Sequence, residues 1–324
     1  MNNPSVGSYI SSLLPPPLHA STPLSKEDME YLSLNNPKLL GLKKMYSSYD
    51  SFNNLHSQWD EEFCKQQIFL PYFRGDNAYI WQIRNNNSVE KYNLTTEYLL
   101  SIDKLGLFQK TFEDGSFGAF TYQSDSGLVV SRDLLDSVCE LYFLENILSL
   151  STLADIKILD IGAGYGRLGH RSIECFSEIT SYICTDAVAE STFLCDFYTR
   201  FRGVTPKCET APIYDIENSI AKNRPDLALN IHSFSECTLA SIEYWLNLLA
   251  SNEVRYLMIA PNNFHNNDGK FLISLEKDLS HIDYEKSIAK YGYRLIAKTP
   301  KFLDFAVQTN GISPTYYYLY ELYP

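Results

Sequence analysis

The sequence predicts an α/β chain: a doubly wound, mostly parallel sheet preceded by a smaller mixed α+β segment. Three observations carry that expectation. From Ser131 onward, apolar strand-like runs alternate with amphipathic helical stretches, and such alternation requires right-handed crossovers and a sheet covered on both faces. The run "KILDIGAGYGRLG", Lys157 to Gly169, places Asp160, Gly162, Gly164 and Gly166 between an apolar strand and a helix. The next strand, "SYICTD", ends in a carboxylate, Asp186.

The elements follow in order. Residues 1–24, with Pro15, Pro16 and Pro17 in a row, predict an extended arm. Residues 25–128 predict an α+β appendage. Its first stretch opens on Ser25 as N-cap with an acidic first turn, and is helical with an interruption near Asn35 to Pro37. Around "AYIWQIRN" and "GAFTYQSDSGLVVS" the period shortens toward two, predicting short strands. Residues 129–324 form the predicted core. "SRDLLDSVCELYFLENILSL" is a capped helix with Leu134, Leu135, Val138, Leu141, Tyr142 and Ile147 on one face. Strands are then expected at "IKILDIG", "SYICTDA", "DLALNIHSF", "VRYLMIAPN" and "YRLIAKT". Helices are expected from Arg167, over "AESTFLCDFYTRFRG", over "TLASIEYWLNLLA" and around "FLISLEKDLSHIDYEKSIAKYG". The chain closes on "TYYYLYEL", a β-rich run.

A net charge of −12 and a pI near 5.0 argue against a protein that holds nucleic acid through its overall field, because phosphate binding needs clustered Lys and Arg. The seven cysteines are scattered, with no C-x-x-C pair, a pattern of reduced core thiols in a cytoplasmic protein. The N-terminal residues show no signal-peptide pattern and no window has the apolar length of a membrane span. A homo-oligomer is compatible with this composition.

A glycine loop at a strand end lets a ligand approach the main chain, and the following helix offers unpaired N–H groups. The nicotinamide and flavin fingerprint is G-x-G-x-x-G, whereas this loop reads D-x-G-x-G-x-G. An acid closing the second strand suits a ribose diol, since a carboxylate accepts from both hydroxyls.

This constellation resembles the class I S-adenosylmethionine-dependent methyltransferases over about Ser131 to the end of the chain. The resemblance implies a Rossmann-like methyltransferase sheet in which "TYYYLYEL" is a reversed, antiparallel strand. It implies S-adenosylmethionine as cofactor and S-adenosylhomocysteine as product, with Asp160, Gly162, Ala163, Gly164, Gly166 and Asn230 about the cofactor and Asp186 on the ribose. It also implies an adenine contact from "ETAPIYDIE", through Asp215 or Glu217. More narrowly, "GAGYGRLG", "SRDLLDSVCELYFL", "NIHSFSECT" and "GDNAYIWQIR" are similar to bacterial sugar O-methyltransferases of polysaccharide gene clusters; where that group carries Met after the Glu, this chain has Cys237. The implied acceptor is a sugar, nucleotide sugar or glycan.

A sugar hydroxyl is a poor nucleophile until a base takes its proton. "NIHSFSEC" follows a strand at the cofactor crevice and supplies His232 and Glu236, His232 ranking first. Glu236 also suits the first turn of the next helix. "PNNFHNNDGK" adds Asn262, Asn263, His265, Asn266, Asn267 and Asp268, an amide-rich loop suited either to carbohydrate or to a turn. His265 with Asp268 or Glu236 offers hard-metal ligands, though no spacing is diagnostic of Mg²⁺. Tyr79 and Trp81 are candidates for packing on sugar faces. A methyltransferase for a small metabolite or a protein group, and a non-catalytic binding subunit of the same fold, are the alternatives.

Overall fold

The structure, a computed structural model, describes residues 18–19, 24–49, 59–75, 78–79, 88–262 and 269–323. Its centre is a seven-stranded sheet. The strands are β4 (Ile156–Ile161), β5 (Ile179–Asp186), β6 (Cys208–Pro212), β7 (Leu227–Ile231), β8 (Tyr256–Ala260), β9 (Tyr293–Pro300) and β10 (Tyr316–Leu322), in spatial order β6-β5-β4-β7-β8-β10-β9. β4 to β8 pair parallel. β10 runs antiparallel to both β8 and β9, so the sheet is mostly parallel with a reversed C-terminal strand, the expected Rossmann-like arrangement.

Alternation along the strands shows why the sheet is covered twice. Ile158, Leu227, Leu229, Met258 and Leu319 join one apolar cluster, while Leu159, Ala228, Leu257, Ile259, Tyr318 and Tyr320 join a second. Successive side chains point to opposite faces, and each buried aliphatic side chain contributes about 1.5–3 kcal/mol. Helices α6 (Arg132–Leu148) and α7 (Arg167–Cys175) pack on the first face. Helices α9 (Ile216–Asn223), α10 (Leu239–Ser251) and α11 (Glu285–Lys290) pack on the second. α8 (Ala189–Phe201) follows β5. Among the described residues no helix is long and apolar enough to cross a membrane.

Three expectations need correction. α6 is buried on all sides from Arg132 to Leu144, and Ile147 stands outside at 38% exposure, because the charged side chains of α6 find ionic partners. The stretch "FLISLEKDLSHIDYEKSIAKYG" is helical only over α11; before it, Ile273 bridges Asp283 in a hairpin-like turn. There Asp278 accepts from the backbone N–H and hydroxyl of Ser280, a local bond that competes with helix. Two helices also stand where none is expected, α4 (Val89–Ile102) and α5 (Leu107–Lys110).

The N-terminal segment further holds α1 (Lys26–Tyr31), α2 (Pro37–Ser47) and α3 (Glu61–Gln67). The interruption after α1 falls where the sequence places it. A small antiparallel sheet joins β1 (Leu18–His19), β2 (Thr121–Gln123) and β3 (Val129–Val130). The expected strand at "AYIWQIRN" lies outside the described residues beyond Tyr79.

Among the described residues, this segment has no apolar cluster of its own. Leu32, Leu39, Phe73 and Phe117 share a cluster with Tyr165, Phe193 and Tyr198, and Tyr92, Leu99, Leu107 and Tyr122 share one with α6 and the sheet. A buried ionic network adds to the join. The Arg74 guanidinium donates to Asp133 (2.9 Å) and Glu113 (2.7 Å), and Arg171 donates to Asp133 (2.6 Å). Arg202 reaches Asp114 at 2.6 Å. All seven cysteines are free thiols, six of them buried.

Candidate active site

The strand order reverses at β4, whose neighbours are β5 on one side and β7 on the other. A crevice must open at the carboxyl ends of the strands there. The cavity at that point is lined by Asp160, Gly162, Ala163 and Gly164 of the loop, Asp186 after β5, and His232, Ser233 and Glu236 after β7.

Backbone bonds fix the loop first. The N–H groups of Gly162 and Ala163 donate to Thr185 O at 2.9 and 3.1 Å, and that of Gly164 to Asp186 Oδ2 at 3.0 Å. Gly162 has φ 74°, and a Cβ there would lie 2.2 Å from Ser233 Oγ. Only glycine fits, because the turn after β7 presses on the loop. At Gly164, φ 57°, a Cβ would stand 3.0 Å from the Tyr79 ring. Gly166 does not line the cavity; it faces Cys195 and opens α7.

Asp186 is held by two backbone donors, Gly164 N–H on one oxygen and Val188 N–H at 2.9 Å on the other. Burial pushes its carboxyl up to about 7, against the pull of those bonds. Asp160, 3% exposed, accepts from the Tyr182 hydroxyl at 2.8 Å, and burial raises it to about 7 as well.

Asn230 is used up within the protein. Its amide donates to Ile161 O (3.0 Å) and Ser233 Oγ (2.6 Å), and its oxygen accepts from Phe234 N–H (2.9 Å). It is fully buried and does not line the cavity, and its bonds staple β7 to β4. Neither acid expected at the adenine lines the cavity. Asp215 accepts from Asn218, and Glu217 from Tyr244.

His232 has a left-handed backbone, φ 69°, unusual for a side-chain-bearing residue. Its N–H donates to Ala260 O at 2.7 Å. The buried Nδ1 has no hydrogen-bond partner among the described residues. Burial pushes the imidazole down to about 4; Asp136 opposes that shift, while Arg132, Arg167 and Lys301 reinforce it. The ring is therefore neutral at neutral pH.

Glu236 lies before α10, whose N-cap is Thr238. Its carboxylate accepts from Trp59 Nε1–H at 2.7 Å and from the Asn262 amide at 3.4 Å. His265 and Asp268 lie outside the described residues, as do Trp81, Asn263, Asn266 and Asn267. Among the described residues no group of three His, Cys, Asp or Glu side chains is placed to hold a metal ion.

Trp59, Arg132 and Asp136, which carry no local signal in the sequence, also line the cavity, together with Tyr79. Arg132 Nε and Lys301 Nζ both donate to Asp136, at 3.3 and 2.5 Å. Burial works to raise that carboxyl, and Lys301, Arg132 and Arg167 outweigh it and hold it at about 2.

No family model matches the sequence. No curated protein matches it either. Among solved structures, the chain is similar to an S-adenosylmethionine-dependent methyltransferase from Clostridium acetobutylicum ATCC 824, at 13% identity over 58% of this chain and 91% of that one, with TM-score 0.40. It is similar to a SAM-dependent methyltransferase from Aquifex aeolicus at 16% identity, 55% and 89% coverage and TM-score 0.40. It is also similar to magnesium protoporphyrin IX methyltransferase from Synechocystis PCC 6803, solved with bound SAM, at 9% identity, 59% and 83% coverage and TM-score 0.39.

Proposed function

We propose that this chain is an S-adenosylmethionine-dependent O-methyltransferase whose acceptor is a hydroxyl of a sugar, nucleotide sugar or glycan in the cytoplasm. The observation that carries the reading is the convergence, on one cavity at the switch point of the sheet, of the glycine loop, the Asp186 carboxylate and the neutral His232 ring. The sugar acceptor rests on the motif resemblance to sugar O-methyltransferases, and the aromatic and carboxylate lining of the cavity suits it.

S-adenosylmethionine bound in this cavity would supply an electrophilic methyl on a sulfonium, to be passed to the acceptor oxygen with the thioether as leaving group. In this reading Asp186 accepts from the ribose hydroxyls, and Asp160, Gly162, Ala163 and Gly164 line the methionyl side. His232 takes the proton of the acceptor hydroxyl, since a neutral imidazole has a lone pair free for it. Glu236, fixed by Trp59, orients the acceptor, and the N-terminal segment covers that side of the cleft.

Calorimetry with S-adenosylmethionine and S-adenosylhomocysteine tests the cofactor, and absence of binding rules the reading out. Labelled S-adenosylmethionine offered with nucleotide sugars, lipid-linked glycans or host polysaccharide tests the acceptor. His232→Ala is expected to keep cofactor affinity and to lower turnover roughly 10²–10⁴-fold. With His232 as base, activity is lost on acidification through a midpoint near 4.

A further inference from the structure

Tyr79 comes from the N-terminal segment, yet its surroundings belong to the cofactor loop. Its ring lies 3.0 Å from the position a Cβ would take on Gly164, whose N–H holds Asp186. Its hydroxyl is 3.0 Å from Ser191 Oγ, and Ser191 is itself bonded to Asp186. The ring meets Tyr165, which sits between Gly164 and Gly166, edge-on at 5.7 Å and 80°. On another side it stacks on Trp59 at 5.9 Å and 28°. Tyr165 is in turn tied by its hydroxyl to Asp133 at 2.7 Å.

We infer that Tyr79 is a wall of the nucleoside pocket, packing its ring on the ribose and adenine side of the cofactor, and not a platform for the acceptor sugar. The inference rests on the S-adenosylmethionine reading above. An aromatic ring is suited to this place because a nucleoside offers a flat π-face and the apolar C–H edge of a ribose. Rigidity supports it too: a side chain held by Ser191, Tyr165 and Trp59 loses little freedom when a ligand arrives. Trp59, carrying Tyr79 on its face and Glu236 on its N–H, then lies between the cofactor and the acceptor and senses both.

The test uses two ligands that share the nucleoside and differ in the amino-acid end, S-adenosylhomocysteine and 5′-methylthioadenosine, titrated against the full chain. Tyr79→Ala is expected to weaken both by the same factor, roughly tenfold, while Tyr79→Phe, which keeps the ring, stays within about threefold of wild type. Unchanged affinity of Tyr79→Ala for both ligands overturns the inference, as does a loss confined to S-adenosylhomocysteine. If Tyr79→Ala does not fold, tryptophan emission decides. S-adenosylhomocysteine is expected to change the emission of wild type and to lose most of that effect in Trp59→Phe; an equal change in both proteins overturns the inference. Failure of wild type to bind either ligand removes the cofactor reading and this inference with it, whereas binding that ignores Tyr79 removes the inference alone.

Discussion

Two groups of buried carboxylates sit on either side of the glycine loop and behave in opposite ways. Behind the loop, Asp133 faces Arg74 and Arg171, which outweigh burial and hold it well below the ordinary carboxylate range. In the cavity, the hydrogen bonds to Asp160 and Asp186 come from neutral groups, and burial pushes both up to about 7. Burial alone therefore says little about a carboxylate. Its partners decide whether it is a closed structural unit or a group with interaction left for a ligand.

The largest effect expected from breaking the contrast lies in the closed group. Arg74→Ala strands Glu113 and Asp133 without one of their cations, and denaturant unfolding is expected to show a loss of about 3–5 kcal/mol. A loss below about 1 kcal/mol would mean that the network is merely tolerated.

The open group is expected to affect binding first. Asp186→Ala should weaken S-adenosylmethionine and S-adenosylhomocysteine alike by on the order of 1–3 kcal/mol in calorimetry, with the protein folded. Unchanged affinity takes Asp186 out of the ribose site.

The open group also predicts a pH effect on stability. A carboxyl raised to about 7 in the folded chain binds its proton more tightly there than in the unfolded chain. The corresponding stability is present below pH 4 and lost as pH rises through 7. Asp160→Asn keeps an acceptor for Tyr182 and removes the charge. Thermal or urea unfolding should find the variant more stable than wild type at pH 8, by on the order of 1–3 kcal/mol, and close to it at pH 4. No gain at pH 8 would place Asp160 with the closed group.

The smallest effect sharpens the boundary between the groups. Tyr165 belongs to the loop, yet donates to Asp133. Tyr165→Phe is expected to cost about 1–2 kcal/mol of stability and to loosen the loop enough for a measurable fall in S-adenosylhomocysteine affinity. Stability lost with affinity intact would show the loop to be fixed without the network.

The parts legible in the sequence were those with a local physical signature. The strand and helix periods, the helix started by Ser131 and the positive-φ positions of the glycine loop are properties of short stretches. Asp186 was legible because a carboxylate closing a strand has a fixed place in a doubly wound sheet. The bonds of Asn230 to Ile161 and Phe234 were not legible, because they depend on how two strands meet. Arg132 and Asp136 gave no signal: they sit on a helix that looks amphipathic, and Lys301, one of the two cations on Asp136, lies 165 positions away. Trp59 reaches Glu236 across 177 positions, a pairing set by tertiary packing alone. Apolar spacing at Leu272, Leu275, Leu279 and Ile282 imitates a helix face, but Leu279 takes a left-handed backbone, φ 66°, and the turn wins.

The apolar cluster that joins Leu32, Leu39, Phe73 and Phe117 to Tyr165, Phe193 and Tyr198 ties the described part of the N-terminal segment to α8 and to the glycine loop. The expected boundary at residue 128 is bridged by this cluster and by the Arg74–Asp133 ion pair. A fragment starting at 129 would leave one side of α8 and the back of Tyr165 facing water, and Asp133 without Arg74. Melting is therefore expected to be a single cooperative event, with no protease-resistant remnant outliving the rest. Loosening the N-terminal third, at however remote a position, is felt at the glycine loop as a change in the free energy of the whole.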